Sequence, residues 1–147
     1  MTKGKKKAMR WLIAIVCIVI IVALVRKLWW PSSRDISESS IFQAEQVEEQ
    51  TKMIISLLDA GDYTGMRAYE TQEMQETLSA TAINQAKAKI ADDFGAFVSY
   101  GNIEMVEMKQ GSKYYAFAQL AVSYENTAVT YSLTFDEDMK LAGIYMK

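Results

Sequence analysis

Apolar residues recur at the three- and four-residue spacing of an amphipathic helix over residues 41–60. One face of this helix would carry Ala44, Val47, Thr51, Ile54, Ile55 and Leu58. Gly61 is predicted to end the helix, because glycine adopts the left-handed backbone that follows a helix without strain. At the other end, Ser40 and Gln43 have the spacing of a capping box. The pattern therefore predicts one long helix that buries a single stripe.

Shorter helices are predicted next, because residues that cap helices precede further apolar spacings. Asp62 would cap a helix that runs to about Tyr69, and Thr71 with Ser79 or Thr81 would begin further helices. The last helix would bury one face, made of Ile83, Ala86, Ile90 and Phe94. The first half of the domain is therefore predicted to be helical, in three or four pieces.

The second half of the chain shows the two-residue alternation of strands. In "TAVTYSLTF", residues 127–135, the apolar positions are Val129, Tyr131, Leu133 and Phe135, with polar residues between them. This alternation predicts a strand with one buried face. Three more strands are predicted over 97–108, 114–124 and 140–146, and short turns make consecutive strands antiparallel neighbours. Helices followed by a strand meander predict an α+β layer fold.

A third pattern, the apolar run "WLIAIVCIVIIVALVRKLWWP" at residues 11–31, predicts a transmembrane helix. The uncharged run begins at Trp11, contains Cys17 and ends at Val25. With flanking residues 8–30 it would extend about 34 Å at about 1.5 Å per residue, which exceeds a hydrocarbon core of about 30 Å. Trp11, Trp29 and Trp30 fit the aromatic belts of a spanning helix. The bulky and charged residues after the run disfavour cleavage as a signal peptide.

Charge predicts the orientation of this segment. Residues 1–34 contain eight Lys or Arg and no acid, whereas residues 35–147 contain eight basic and 18 acidic residues, a net charge of −10. Lys and Arg stay on the cytoplasmic side of a membrane. We therefore expect a cytoplasmic tail over 1–10, a signal anchor over 11–30, a Ser-rich linker over 31–40 and an extracytoplasmic α+β domain over 41–147. An acidic domain does not favour nucleic acid as a partner.

Composition excludes several classes of chemistry. The chain has no histidine, which excludes Ser-His-Asp and Cys-His catalysis and His-ligated zinc. Its only cysteine is Cys17, so the downstream domain forms no disulfide. The acids at Asp136 and Asp138 invite a calcium interpretation, but Lys140 stands where a further oxygen ligand belongs. We therefore expect neither a metal site nor a cofactor.

Three short motifs carry a resemblance to a known family: "LLDAGDY" at 57–63, "FGAF" at 94–97 and "KLAGIYM" at 140–146. Together they resemble a small bacterial domain family of unknown function, found in anchored or exported proteins and preceding some α/β-hydrolases. The resemblance implies a cone-shaped fold of the nuclear transport factor two-like, or cystatin-like, type. In that fold a curved sheet wraps a helix and leaves a cavity.

Candidate catalytic groups are carboxylates and tyrosines. Asp92 and Asp93 are predicted to lie in the last turn of a helix, where a carboxylate opposes the negative end of the helix dipole. With Tyr100, Tyr115 or Tyr131 they could imitate the acid and tyrosine set of ketosteroid-isomerase-like cones. The alternative is that these acids are solvated and that the tyrosines line the core with their hydroxyls at its rim.

The favoured functional interpretation is a membrane-anchored, extracytoplasmic binding or scaffold module rather than an enzyme. Its ligand would be a small apolar molecule, a peptide or an envelope protein, held in a cavity or on the open sheet face. A homodimer through the sheet is a further expectation. The alternative is a small cone-fold enzyme, isomerase- or hydrolase-like, that uses an Asp and Tyr pair in a cavity.

Overall fold

Five strands form one sheet in chain order within residues 32–147, which are the residues that the structure, a computed structural model, describes. The strands are β1 (Ser32–Asp35), β2 (Phe97–Gln110), β3 (Lys113–Tyr124), β4 (Ala128–Phe135) and β5 (Leu141–Met146). Strands β2 to β5 pair antiparallel. The helices are α1 (Ala44–Asp59), α2 (Tyr63–Arg67), α3 (Gln72–Thr77) and α4 (Ala80–Ile90). This arrangement confirms the predicted α+β class with a meander.

The predicted membrane-spanning segment lies outside the described residues, and with it Trp11, Cys17, Val25, Trp29 and Trp30. Within residues 32–147, no helix combines the length and the apolar character that crossing a membrane requires.

Helix starts follow the predicted caps in three of four cases. The side chains of Asp62, Thr71 and Ser79 each accept a hydrogen bond from a backbone N–H in the first turn of α2, α3 and α4. The predicted capping box of α1 is wrong, because Gln43 is the N-cap and makes no side-chain capping bond. Ser39 Oγ instead accepts from the N–H groups of the two residues that follow Ser40. Local polar side chains therefore set most helix starts.

The stretch predicted as a linker contains ordered structure. Residues 32–35 form β1, and Ile36–Glu38 form one turn of 3₁₀ helix that begins at Asp35, whose carboxylate accepts from the Ser37 N–H. Ile36 is only 4% exposed and belongs to the core. Arg34 forms an ion pair with buried Glu107 of β2 at 3.2 Å. The described domain therefore includes residues ahead of 41.

The core lies between α1 and one face of the sheet. The predicted alternation of β4 is confirmed, because the odd positions from Val129 to Phe135 are buried and the even positions between them are half-buried. Leu120 of β3 lies opposite Tyr131, and both are fully buried. The stripe of α1 contributes Val47, Thr51, Ile54, Ile55 and Leu58, all with no exposed surface. The space between helix and sheet is thus filled by side chains.

Candidate functional site

Asp92 and Asp93 lie beyond the end of a helix, not in its last turn as predicted. Helix α4 ends at Ile90 because Ala91 takes an extended backbone, with φ −159° and ψ 154°. Both acids are exposed. Asp93 Oδ1 accepts a hydrogen bond from the Gly95 N–H at 2.9 Å, so this carboxylate organises the loop into β2. These two carboxylates therefore lie outside the last turn, where the helix dipole would oppose their charge.

The three tyrosines predicted to accompany these acids lie in three different surroundings. Tyr100 is at the surface, with its ring 4.8 Å from that of Phe97. Tyr115 is half-buried and lines a separate depression beside the β4–β5 turn. Tyr131 is fully buried in the core. Among the described residues, no hydrogen bond joins any of the three to Asp92 or Asp93.

A different carboxylate meets two tyrosines. Tyr124 donates its hydroxyl proton to Asp59 Oδ1 at 2.8 Å, and the Tyr124 and Tyr131 hydroxyls are 2.7 Å apart. Since the Tyr124 proton goes to the carboxylate, Tyr131 donates to Tyr124. We call this chain of three side chains the Asp59 relay. It joins the last residue of α1 to the end of β3 and the middle of β4.

Burial shifts the pKa of each member of the Asp59 relay upward. Burial raises the pKa of the Asp59 carboxyl, while the Tyr124 hydrogen bond and the Lys87 ammonium act in the opposite direction. Asp59 as a residue is exposed, but its Oδ1 faces inward to Tyr124, which explains why its carboxyl still loses hydration. Burial raises the pKa of Tyr124 strongly and that of Tyr131 to about 12. Both hydroxyls therefore stay protonated at neutral pH.

The relay opens into a surface cleft of about 530 Å³, which we call the Asp59 cleft. Phe94 packs against Tyr124 with 5.2 Å between ring centroids and gives the cleft an aromatic wall. Lys87 lies on the same cleft and donates from Nζ to the Leu58 carbonyl at 2.9 Å, and burial lowers its pKa. The remaining charged or aromatic lining comprises Asp92, Asp93 and Phe97. The predicted acids therefore reach the same cleft as the relay, as rim residues.

Gly95 fixes the loop that forms this rim. Its φ is +74°, and a Cβ there would meet Glu125 Cβ at 2.7 Å. The neighbouring backbone bonds to the β3–β4 turn, since the Asn126 N–H donates to the Phe94 carbonyl at 3.0 Å. Glycine is required at this position both for its backbone conformation and for the close approach.

Sequence reasoning missed Asp59 and Tyr124, although one signal pointed to the first. Asp59 is the last residue of α1, where its charge opposes the helix dipole, as was predicted for Asp92 and Asp93. Tyr124 carries no local signal, because it takes part in strand alternation like any buried residue of β3.

Comparison with known proteins places the chain in a family. Residues 51–144 match the family described as protein of unknown function (DUF3887). The chain belongs to the DUF3887 family. This match confirms the predicted membership of a domain family of unknown function, and it spans all three residues of the Asp59 relay. No curated protein matches the chain.

A solved structure supports the DUF3887 fold. The chain is similar to a protein from Ruminococcus gnavus ATCC 29149, whose structure was determined by NMR, with a TM-score of 0.66 and 28% sequence identity. The similarity covers 74% of this chain and 94% of that protein.

The raised pKa of Asp59 predicts how its contribution to folding stability depends on pH. Because the folded state raises the Asp59 pKa above the ordinary 3.8, it binds this proton more tightly than the unfolded chain does. The contribution of Asp59 to stability is therefore fully present below pH 3.8 and is lost as pH rises through the folded-state pKa. Tyr124→Phe should raise the Asp59 pKa further, since the Tyr124 hydrogen bond opposes the shift.

Carbon-detected NMR titration of the Asp59 carboxyl measures both effects. Tyr145→Phe is the control, because the Tyr145 side chain is 63% exposed and forms no hydrogen bond with the relay in the described residues, and it should leave the Asp59 midpoint unchanged. A midpoint below 3.8 in the parent protein would contradict the burial argument.

Proposed function

We propose that this protein is a membrane-anchored, extracytoplasmic binding module whose Asp59 cleft holds a peptide segment of an envelope protein. The apolar run over 11–25 and the excess of Lys and Arg before it support a single span with the N-terminus in the cytoplasm. A helix packed on one face of an antiparallel sheet supports a cone of the nuclear transport factor two-like type.

The main support for the proposal is that the hydrogen-bonded pair of Asp59 and Tyr124 lines an open cleft, whereas the core itself is filled with apolar side chains. Side chains fill the space between α1 and the sheet, with Tyr131, Leu133 and Phe135 fully buried there. The acid and the tyrosine that a cone enzyme would place in an enclosed cavity instead meet in the wall of the open Asp59 cleft. An open cleft suits a ligand that remains connected to a larger partner, as a protein segment does.

The chemistry of the Asp59 cleft fits a peptide. Phe94 and Phe97 offer aromatic surface to an apolar side chain. Asp92 and Asp93 on the rim can accept hydrogen bonds from backbone N–H groups or from a basic side chain. Lys87 can donate to a peptide carbonyl. A peptide is the ligand class that presents all of these groups in one chain.

Site-specific photo-crosslinking in intact cells tests this proposal. A photoreactive residue in place of Ala88, which lines the Asp59 cleft, should give one discrete cross-linked envelope protein. Phe97→Ala should reduce that product at least about fivefold, because it removes aromatic surface from the cleft. The same photoreactive residue in place of Glu104, which is exposed on β2 and outside the cleft lining, should give none.

Two outcomes would contradict the proposal. The first is equal cross-linking from positions 88 and 104, which would indicate random encounters. The second concerns topology: a reporter fused after Lys147 that is active only in the cytoplasm would contradict the extracytoplasmic location.

A small cone-fold enzyme is the second candidate, and the 2.8 Å bond between Tyr124 and Asp59 favours it. A carboxyl with a raised pKa beside a tyrosine hydroxyl can act as an acid or a base. If the protein is an enzyme, Asp59→Asn abolishes turnover, whereas a binding module retains the cross-link with a modest loss. A homodimer through the sheet is compatible with either function, since half-buried Phe117 and exposed Tyr145 lie on strands β3 and β5.

A further inference from the structure

Glu70 is a buried residue with a carboxylate side chain, and it is not a member of the Asp59 relay. It is 6% exposed, and its Oε2 has no hydrogen-bond partner in the part of the chain that the structure describes. Buried polar atoms in native proteins are almost always paired. An unpaired carboxylate oxygen therefore points to a donor supplied from outside the described residues.

The backbone holds Glu70 firmly in this position. Glu70 forms a parallel bridge with Leu141, the first residue of β5. The Leu141 N–H donates to the Tyr69 carbonyl at 2.6 Å, and the Thr71 N–H donates to the Leu141 carbonyl at 3.0 Å. Hydrogen bonds on both sides of Glu70 thus tie its backbone to the sheet and fix where its side chain begins.

Glu70 lines a second pocket of about 450 Å³, between α2 and the start of α4. We call it the Glu70 pocket. Its charged lining consists of Asp62, Arg67, Glu70 and Glu76, which is three carboxylates against one guanidinium. The pocket therefore carries a net negative charge that favours a cation.

Arg67, the one cationic residue in this lining, forms its hydrogen bonds with Gln75 and not with Glu70. Arg67 Nη2 donates to the Gln75 carbonyl at 3.0 Å, and Gln75 Nε2 donates back to the Arg67 carbonyl at 2.7 Å. Among the described residues Arg67 forms no ion pair with Glu70, although its charge lowers the Glu70 pKa in opposition to burial, which raises it. The carboxylate thus remains available to a ligand.

We propose that the Glu70 pocket binds a small primary ammonium compound, with the ammonium group donating hydrogen bonds to the buried Glu70 carboxylate. An ammonium group supplies up to three N–H donors and a positive charge, which matches an unpaired oxygen in an acidic pocket. Within residues 32–147 no three His, Cys, Asp or Glu side chains are placed to hold a metal ion, so an organic cation fits this lining better.

The test uses the full-length chain in nonionic detergent micelles and follows backbone amide shifts by NMR. The probe is methylammonium chloride, with tetramethylammonium chloride as the matched control because it has the same charge and no N–H donor. Such small ligands bind in the millimolar range at best, so both are titrated to about 100 mM at constant ionic strength. Methylammonium should give saturable shifts at Glu70, Thr71 and Leu141, and tetramethylammonium should not.

Glu70→Gln should weaken methylammonium binding at least tenfold, because the amide removes the charge at nearly the same shape. Glu76→Gln is the control variant, since Glu76 is exposed on the rim, and it should weaken binding less than threefold. Equal shifts with the two ammonium salts, shifts that never saturate, or unchanged binding in Glu70→Gln would each overturn the proposal. The comparison of the two salts needs no variant and therefore stands even if Glu70→Gln fails to fold.

Discussion

Tyr131→Asp is expected to unfold the domain, with a loss of more than about 4 kcal/mol in the free energy of unfolding. Tyr131 is fully buried opposite Leu120, and its hydroxyl bonds only to Tyr124. Aspartate there would place a charge in the core without a cationic partner. Urea unfolding followed by circular dichroism should show no cooperative transition for this variant.

Thr130→Asp is the matched control, one residue away on the same strand. Thr130 is half-buried on the opposite face of β4, and its backbone bonds to Lys147 in both directions. An acid here faces solvent, so the expected change is within about 1 kcal/mol. Because side chains alternate between faces, equal tolerance of both substitutions would mean that the register of β4 is shifted by one residue.

A chain shortened to begin at Ser37 is expected to be about 4 kcal/mol less stable than one that begins at Ser32. The shorter chain loses Ile36, which is 4% exposed and packs in the core. It also loses Arg34, which leaves the carboxylate of Glu107 buried without its ion-pair partner. The first loss alone corresponds to about 2–5 kcal/mol, and the half-exposed position of Arg34 reduces the second.

Two variants separate these contributions. In the longer chain, Ile36→Ala should reproduce the packing loss without disturbing the ion pair. In the shorter chain, Glu107→Gln should recover part of the stability, because it removes the uncompensated charge. Equal midpoints of urea unfolding for the two chain lengths would show that residues 32–36 contribute nothing to the fold.

The elements that the sequence predicted well are those whose signal is local and repeated. The stripe of α1 and the alternation of β4 each involve several residues at a fixed spacing, so single exceptions do not hide them. The caps at Asp62, Thr71 and Ser79 are equally local, since a side chain bonds to a backbone N–H of the next turn.

Strand β1 was missed because its sequence, "SSRD", has no apolar alternation. It is an edge strand, held by backbone bonding and by Arg34, and such a strand needs no buried side chain of its own. Ile36 is the one apolar residue between Pro31 and Ile41, so it looks isolated in a polar stretch. Its burial depends on β2, which lies far along the chain.

The Asp59 relay could not be predicted for a different reason. Asp59 and Tyr124 are separated by 65 residues, and only the packing of α1 across the sheet brings them together. The sequence indicated an acid at a helix end beside a tyrosine, and the structure contains a hydrogen-bonded pair of this kind at Asp59 and Tyr124. The pair lies at the end of α1 and not at the end of α4, which ends early because Ala91 takes an extended backbone that no residue pattern indicated.

The edge position of β1 also determines how the domain responds to mechanical load. A pulling force applied through the N-terminal end of the domain acts first on β1, which has a neighbouring strand on only one side in the described sheet. The ion pair between Arg34 and Glu107 resists this force before it reaches α1. The burial of Ile36 adds further resistance, because its side chain must leave the core before the force reaches the next element. The first seven residues of the described domain are thus expected to detach first under load and to protect the Asp59 cleft from deformation.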